Sequence, residues 1–199
     1  MRLDFQTKAV DPSSLTMEPK VASTIKNNIR IKVGDGDYGA EEEDSVYISL
    51  NTFTSETKIF IASPSNFKWR LYYQRQLGVD MSNITGEIKF YNSKDNTRVP
   101  VFVIHRKDMK LDGNNPVLLT AYGGFNAGIQ PNYYGFYSTF LNAGGILVEA
   151  GIRGGDEYGE KWHQDGMLAN KQNCFDDFNS CAEWLIREKY TNPTKIVAE

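Results

Sequence analysis

Two nearly continuous apolar stretches, each ending in a glycine-rich turn, constrain the fold of this chain more than any other feature. The first runs from Val117 to Tyr122 and is followed directly by Gly123 and Gly124. The second runs from Gly145 to Ala150 and is followed by a turn that contains Gly154 and Gly155. Strands that are covered on both faces have this composition. Both stretches therefore predict buried strands whose carboxyl ends carry glycine-rich loops.

An amphipathic helix is predicted from Phe175 to Lys189. Asp176 and Asp177 are expected at its N-terminal end, and Arg187 lies near its C-terminal end, where these charges suit the helix dipole. Its apolar side chains recur at spacings of three and four residues. The apolar stripe consists of Phe175, Phe178, Ala182 and Leu185.

The remaining elements of the C-terminal part alternate between strands and helices. Residues 84–91 and 98–105 read as two strands of a hairpin. Residues 133–143 can form a helix, and residues 195–198 begin another strand after Asn192 and Pro193. The order strand, helix, strand, helix, strand from residue 117 onward predicts a parallel α/β sheet.

The N-terminal part of the chain has a different sequence pattern. Residues 1–28 show no period and are interpreted as irregular. Four short strands separated by turn residues then follow, and four antiparallel strands of this length form one blade of a β-propeller or a small meander. These strands are residues 29–33, 46–53, 58–62 and 69–73.

Composition excludes several classes of function. The chain has 22 basic and 25 acidic residues, for a net charge of −3, which argues against a nucleic-acid-binding surface. No apolar stretch approaches the ~18 residues of a membrane span, and the N-terminus has no signal-peptide core. Cys174 and Cys181 would lie roughly 10 Å apart on one helix, too far for a disulfide. Free thiols fit a cytoplasmic protein.

The loop after the first buried strand is the best candidate for chemistry. It lacks the glycine spacing of phosphate-binding loops, and the chain has no metal-ligand spacing of the H-E-x-x-H kind. The Tyr122 hydroxyl could donate to an oxyanion, or Tyr122 could simply cap the core at the end of its strand. No serine lies in G-x-S-x-G. His105 is expected to pack or to be solvated at a strand end, and His163 is expected in a polar loop.

The sequence resembles the prolyl oligopeptidase family strongly over residues 84–199, most clearly from Thr120 onward, and more weakly over about residues 29–83. Asp156 stands where many relatives carry a third glycine. The motifs that carry the resemblance are Tyr122-Gly123-Gly124-Phe125-Asn126, Ile152-Arg153-Gly154-Gly155, Glu157-Tyr158-Gly159-Glu160, and the run from Asn170 to Phe178.

The resemblance implies an α/β fold: the N-terminal part of an α/β-hydrolase domain, residues 79–199, preceded by the last antiparallel blade of a β-propeller, residues 29–78. It implies a serine peptidase that cleaves short peptides after proline without a cofactor. Tyr122 matches the family's oxyanion donor, and Phe125 matches a phenylalanine that lines the proline pocket. Members of the family are expected to be monomeric and cytoplasmic, with proline-containing oligopeptides as partners.

The resemblance also implies that the family's nucleophilic serine follows the strand at residues 195–198, and that its Asp and His come later still. The 199 residues therefore lack the catalytic triad and are expected to be inactive on their own. The alternative is a truncated, non-catalytic paralogue or a peptide-binding fragment that keeps Phe125 and its loop.

Overall fold

Four short strands form an antiparallel sheet in chain order, as their alternating pattern predicted. The computed structural model describes residues 29–34, 46–62, 69–74 and 78–199, so the interpretation of residues 1–28 lies outside the described part. The strands are β1 (Ile29–Gly34), β2 (Val46–Thr52), β3 (Lys58–Ala62) and β4 (Trp69–Gln74). Each pairs with the next in the sequence, which makes the sheet a meander.

A second sheet of five strands contains both glycine-terminated stretches. Its strands are β5 (Ile84–Asn92), β6 (Arg98–Arg106), β7 (Val117–Ala121), β8 (Ile146–Ala150) and β9 (Ile196–Ala198). Their order across the sheet is β5-β6-β8-β7-β9. The parallel sheet predicted from residue 117 onward is confirmed for β8, β7 and β9, and the β5–β6 hairpin joins it in antiparallel fashion through β8.

Both faces of this second sheet are covered. Along β6, Val101 and Val103 belong to one apolar cluster while Phe102 and Ile104 belong to another, because successive side chains of a strand point to opposite faces. The first cluster includes Trp184 and Leu185 of the long helix, and the second includes Leu141 and Phe53. The sheet is therefore the central layer, as its near-continuous apolar strands predicted.

Three α-helices lie in the described part of the chain: α1 (Ser138–Asn142), α2 (Glu160–Gln164) and α3 (Gln172–Arg187). The predicted helix over residues 133–143 is shorter than expected, because a single 3₁₀ turn at Gly135–Tyr137 precedes α1. None of these described helices is long and apolar enough to cross a membrane.

Helix α3 differs from its prediction at the N-terminal end. It begins at Gln172, so its first turn contains no acidic residue, and the expected role of Asp176 and Asp177 there is wrong. Phe175 is exposed rather than part of the apolar stripe. The other predicted stripe residues, Phe178, Ala182 and Leu185, do pack in or against the core. The buried residues of the helix are Cys174, Asp177, Cys181, Trp184 and Leu185.

Both cysteines lie on α3 and are free, as their spacing predicted, and both are also buried. Cys174 packs against backbone oxygens, and its Sγ lies 2.7 Å from the Arg153 carbonyl oxygen. Burial raises the pKa of the Cys181 thiol. Both side chains are therefore packing residues of α3.

Phe53 connects the meander to the second sheet. It directly follows β2, it is buried, and its ring packs edge-on against Phe102 with centroids 5.0 Å apart. A Cβ atom at Gly86 on β5 would lie 2.2 Å from the Phe53 ring, so only glycine leaves room for this contact. The contact fixes where the first sheet meets the second.

Replacing Phe53 with Ala should lower the free energy of unfolding by about 3–5 kcal/mol, because the substitution leaves a cavity in the core. Leu71→Ala, at an exposed position on β4, is the matched control and should change stability by less than about 0.5 kcal/mol. Urea unfolding of both variants measures the difference. Equal effects would mean that Phe53 does not join the two sheets.

Candidate active site

Two loops meet at the carboxyl ends of β7 and β8. Loop A comprises residues 122–129, and loop B comprises residues 151–159. Because β7 and β8 are parallel neighbours, with Ala121 paired to Ala150, both loops leave the same edge of the sheet. Ligands of α/β sheets bind at this edge. The structure therefore brings together the two glycine-rich turns that the sequence singled out.

Loop A presents both predicted site residues to solvent. The Tyr122 side chain is 63% exposed and that of Phe125 is 88% exposed, with their ring centroids 6.2 Å apart. Tyr122 thus does not cap the core. Phe125 and Asn126 have φ angles of 51° and 56°, a left-handed conformation that is uncommon for a phenylalanine. An exposed aromatic ring on such a backbone is typical of a functional loop rather than of packing.

Loop B is anchored by a buried ion-pair cluster that sequence reasoning missed. Arg153 Nη2 donates to Asp177 Oδ1 at 2.6 Å, and Arg153 Nη1 donates to Asp95 Oδ2 at 2.6 Å. Asp177 Oδ2 also accepts the backbone N–H of Arg153 at 2.9 Å. The Asp177 side chain is 0% exposed. One carboxylate thus holds both the backbone and the guanidinium of Arg153, and links loop B to α3.

Asp95 extends this cluster to the β5–β6 hairpin. Partial burial acts to raise the pKa of Asp95, but hydrogen bonds from Arg153 and Thr97 outweigh it and lower the pKa to about 2. Ser93, which is also buried, lies 3.4 Å from Arg153 Nη2. A single arginine therefore connects loop B, α3 and the hairpin.

Loop A is attached to its surroundings mainly through backbone groups. The N–H of Asn126 donates to the Gly154 carbonyl oxygen at 3.2 Å, and Lys171 Nζ donates to the Gly123 carbonyl oxygen at 2.8 Å. A Cβ atom at Gly154 would lie 2.4 Å from that Gly123 oxygen, so the close approach of the two loops requires glycine. These contacts fix the position of loop A and, with it, the position of the Phe125 side chain.

His163 belongs to this set of contacts, and the prediction that it lies in a polar loop is wrong. It sits in α2, because Gly159 with a φ of 79° ends loop B and starts the helix. Its Nδ1 lies 2.7 Å from the Gly154 carbonyl oxygen and 3.2 Å from the backbone nitrogen of Asn126 in loop A. His105, by contrast, is buried at the end of β6, with Nδ1 2.6 Å from the Arg106 carbonyl oxygen.

Glu157 of loop B is a buried carboxyl group between the two loops. It is 2% exposed, and its Oε1 accepts the backbone N–H of Ile129 in loop A at 2.9 Å. Its Oε2 has no hydrogen-bond partner among the described residues. Burial raises the pKa of Glu157 to about 7, although the Ile129 hydrogen bond acts in the opposite direction. The group therefore changes its charge near neutral pH.

A cavity of about 450 Å³ lies beside loop A. Its walls include Glu149, whose pKa is raised by burial and whose carboxylate accepts a hydrogen bond from the Tyr134 hydroxyl. Asn126, Gln130, Asn132 and Asp156 line it as well. Within the described residues, no group of three or more His, Cys, Asp or Glu side chains is placed to hold a metal ion.

Comparisons with known proteins agree with the loop motifs. Residues 132–199 match the sequence profile of the prolyl oligopeptidase family. Prolyl oligopeptidase A of Galerina marginata is 36% identical over 163 residues, and the prolyl endopeptidase of Dictyostelium discoideum is 38% identical over 160 residues. This chain belongs to the prolyl oligopeptidase family.

A solved structure from a study of two prolyl endopeptidases superimposes with a TM-score of 0.77 at 42% identity. The match covers 80% of this chain and 24% of that one. The aligned parts of the Galerina and Dictyostelium relatives amount to 79% and 78% of this chain but only 22% and 21% of their own lengths. The chain thus spans about a fifth of the family members it matches.

Asp177→Asn should lower the free energy of unfolding by about 3–5 kcal/mol, because it leaves the buried Arg153 guanidinium without its main partner. Asp176→Asn is the matched control, because Asp176 lies on the same helix but has only surface contacts, a distance of 3.9 Å to the exposed Lys94 and a hydrogen bond accepted from Gln172 at 3.0 Å. Its cost should be at most about 1 kcal/mol. Chemical denaturation of the two variants decides whether the cluster anchors the fold.

Glu157 predicts a pH dependence of stability that Glu157→Gln removes. The pKa of the folded state, about 7, lies above the ordinary value of 4.5, so the folded protein binds the proton more tightly. Protonated Glu157 therefore adds to the free energy of unfolding. This contribution, on the order of 3 kcal/mol, is complete below about pH 4.5 and is lost as the pH rises through about 7. Unfolding measured across this range, with exposed Glu160→Gln as control, tests the sign. The same slope in Glu157→Gln would contradict it.

Proposed function

We propose that this chain is part of a serine-type oligopeptidase that cleaves short peptides on the carboxyl side of proline by acyl transfer. In this proposal the Tyr122 hydroxyl donates a hydrogen bond to the oxyanion of the tetrahedral intermediate, and the Phe125 ring packs against the substrate proline. The observation that carries it is the exposed Tyr122–Phe125 pair on loop A, at the ligand-binding edge of an α/β sheet.

The order of strands supports the role of Tyr122. β9 runs parallel to β7 and beside it, with Val117 paired to Ile196 and Leu119 paired to Ala198. A nucleophile on the turn after β9 would therefore come close to loop A. Its oxygen would attack the peptide carbonyl and pass its proton to a histidine base, while negative charge develops on the carbonyl oxygen near Tyr122. Proton transfer to the leaving amine and hydrolysis of the acyl-enzyme would complete the cycle.

The proposal extends to the organisation of the protein. Residues 29–78 would be the last blade of a β-propeller, and residues 79–199 would be the first part of the hydrolase domain. The two free, buried cysteines favour a reducing compartment such as the cytoplasm. A polypeptide of these 199 residues alone would be inactive, since the resemblance places the serine, aspartate and histidine of the triad outside them.

A non-catalytic peptide-binding role is the second candidate, and it is favoured by hydrogen bonds that hold loop A to other parts of the same chain, from Ile129 to Glu157 and from Lys171 to Gly123. In both candidate functions Phe125 must bind proline. The two differ in whether turnover follows binding once a nucleophile is supplied.

Phe125→Ala should weaken binding of the peptide acetyl-Ala-Gly-Pro-Ala-amide to the 199-residue polypeptide at least tenfold, because the ring that contacts proline is lost. Phe136→Ala is the matched control, because Phe136 is 99% exposed but lies outside loop A, and it should leave affinity unchanged. Isothermal titration measures both. Equal affinities in the two variants would remove Phe125 from the proposal.

Tyr122→Phe tests the oxyanion role in a chimera, in which residues 84–199 replace the matching segment of a complete prolyl oligopeptidase. Loss of the hydroxyl should lower kcat by about 10²–10³-fold with little change in KM, because the donor acts on charge that develops in the transition state. The unfused 199-residue polypeptide should show no serine-dependent turnover. Unchanged kcat in the chimera, or turnover by the polypeptide alone, would contradict the mechanism.

A further inference from the structure

We propose that Glu157 is a positioning residue: its neutral carboxyl group holds loop A in the arrangement that presents Phe125, and its ionisation releases the loop. The link to peptide binding rests on the proposed function. The link between the carboxyl group and the loop rests on geometry alone, because Glu157 of loop B reaches directly to the backbone of loop A.

The surroundings of the carboxyl group leave it little freedom. A Cβ atom at Gly155 would lie 2.4 Å from Oε2, and one at Gly151 would lie 3.1 Å from Oε1. On the loop A side, a Cβ atom at Gly128 would lie 3.3 Å from the Glu157 Cδ. Three glycines, two from loop B and one from loop A, thus form a tight enclosure for one carboxyl group.

The charges that face Glu157 all oppose its ionisation. Asp156 precedes it in loop B, and Glu149 approaches from β8, where it is bonded to Tyr134. Tyr158 follows it in the chain, and because burial raises the pKa of its phenol, this group is neutral near pH 7 and supplies no compensating charge. No described basic side chain forms an ion pair with it. A carboxylate here is therefore costly unless water or a cation reaches it.

Loop A is held less firmly than loop B, so it is the part of the enclosure that we expect to move. Loop B is fixed by Arg153 to two other elements through charged hydrogen bonds. In loop A the Lys171 ammonium holds the carbonyl oxygen of Gly123, but residues 125–129 contain no charged side chain and are attached by the backbone bond from Asn126 to Gly154 and by the bond from Ile129 to Glu157 itself. Hydration of an ionised Glu157 is therefore expected to displace residues 125–129, and with them the Phe125 ring.

NMR titration of the isotope-labelled 199-residue polypeptide tests this directly. The Glu157 carboxyl carbon and the Phe125 and Ile129 amides should titrate together between about pH 5 and pH 8.5, with one midpoint near 7. Glu157→Gln keeps an oxygen acceptor for Ile129 and should abolish the amide transition. Glu160→Gln, in the exposed first turn of α2, should retain it.

His163 contacts the same loop, so its ring carbons are followed separately, and the transition should persist in His163→Asn. Two results would overturn the proposal: a Glu157 titration that leaves the loop A amides unmoved, or an amide transition that survives Glu157→Gln. If Glu157→Gln does not fold, the wild-type titration decides: the proposal requires the Glu157 carboxyl carbon and the Phe125 and Ile129 amides to share one midpoint, and different midpoints would overturn it.

A second arm measures binding of acetyl-Ala-Gly-Pro-Ala-amide at about pH 6 and about pH 8. If only the neutral form is competent, affinity should fall about tenfold over this interval in the wild type and stay constant in Glu157→Gln. Peptide that binds equally at both pH values would overturn the functional link. Absence of binding at either pH with an intact amide transition would contradict the proposed function and leave the Glu157 switch standing.

Discussion

The hydrogen bonds between Asp177 and Arg153 are the interaction on which the candidate site depends most. The fully buried carboxylate of Asp177 accepts hydrogen bonds from both the guanidinium and the backbone N–H of Arg153, which lies in the glycine-rich loop after β8. Ion pairs of this kind add little net stability but are costly to break, so they fix geometry. Here the fixed element is loop B, which supports loop A through Gly154 and Glu157.

The two loops differ in burial and in how they are anchored. Loop B is mostly buried and is anchored by the Arg153 ion pairs, while loop A exposes its aromatic rings to solvent and has left-handed backbone at Phe125 and Asn126. A rigid support under an exposed, strained loop is the arrangement that precise binding requires, because loops alone are too mobile to orient a side chain. The position of loop A therefore depends on Gly154 and Glu157 of loop B.

Much of the fold could be predicted from the sequence because its strands are strongly patterned. The bounds of β3 and β7 follow from alternation and apolar runs that end at turn residues. The start of α3 could not be predicted in the same way, because Phe175, which the spacing assigned to the apolar stripe, is exposed in the folded protein. The spacing of Cys174, Cys181 and Leu185 does mark the true buried face, and Asp177 lies on it three residues after Cys174.

The candidate site was predictable only in part. Tyr122 and Phe125 stand out because they flank the glycines of loop A, and they do lie together. Arg153, Glu157 and His163 could not be assigned contacts from the sequence, since their partners are 24, 28 and 37 residues away in the chain and depend on how the loops meet. Whether loop A binds proline is best measured by intermolecular NOEs between a bound proline peptide and the polypeptide. The account predicts contacts from the proline ring to Phe125; contacts elsewhere and none to loop A would contradict it.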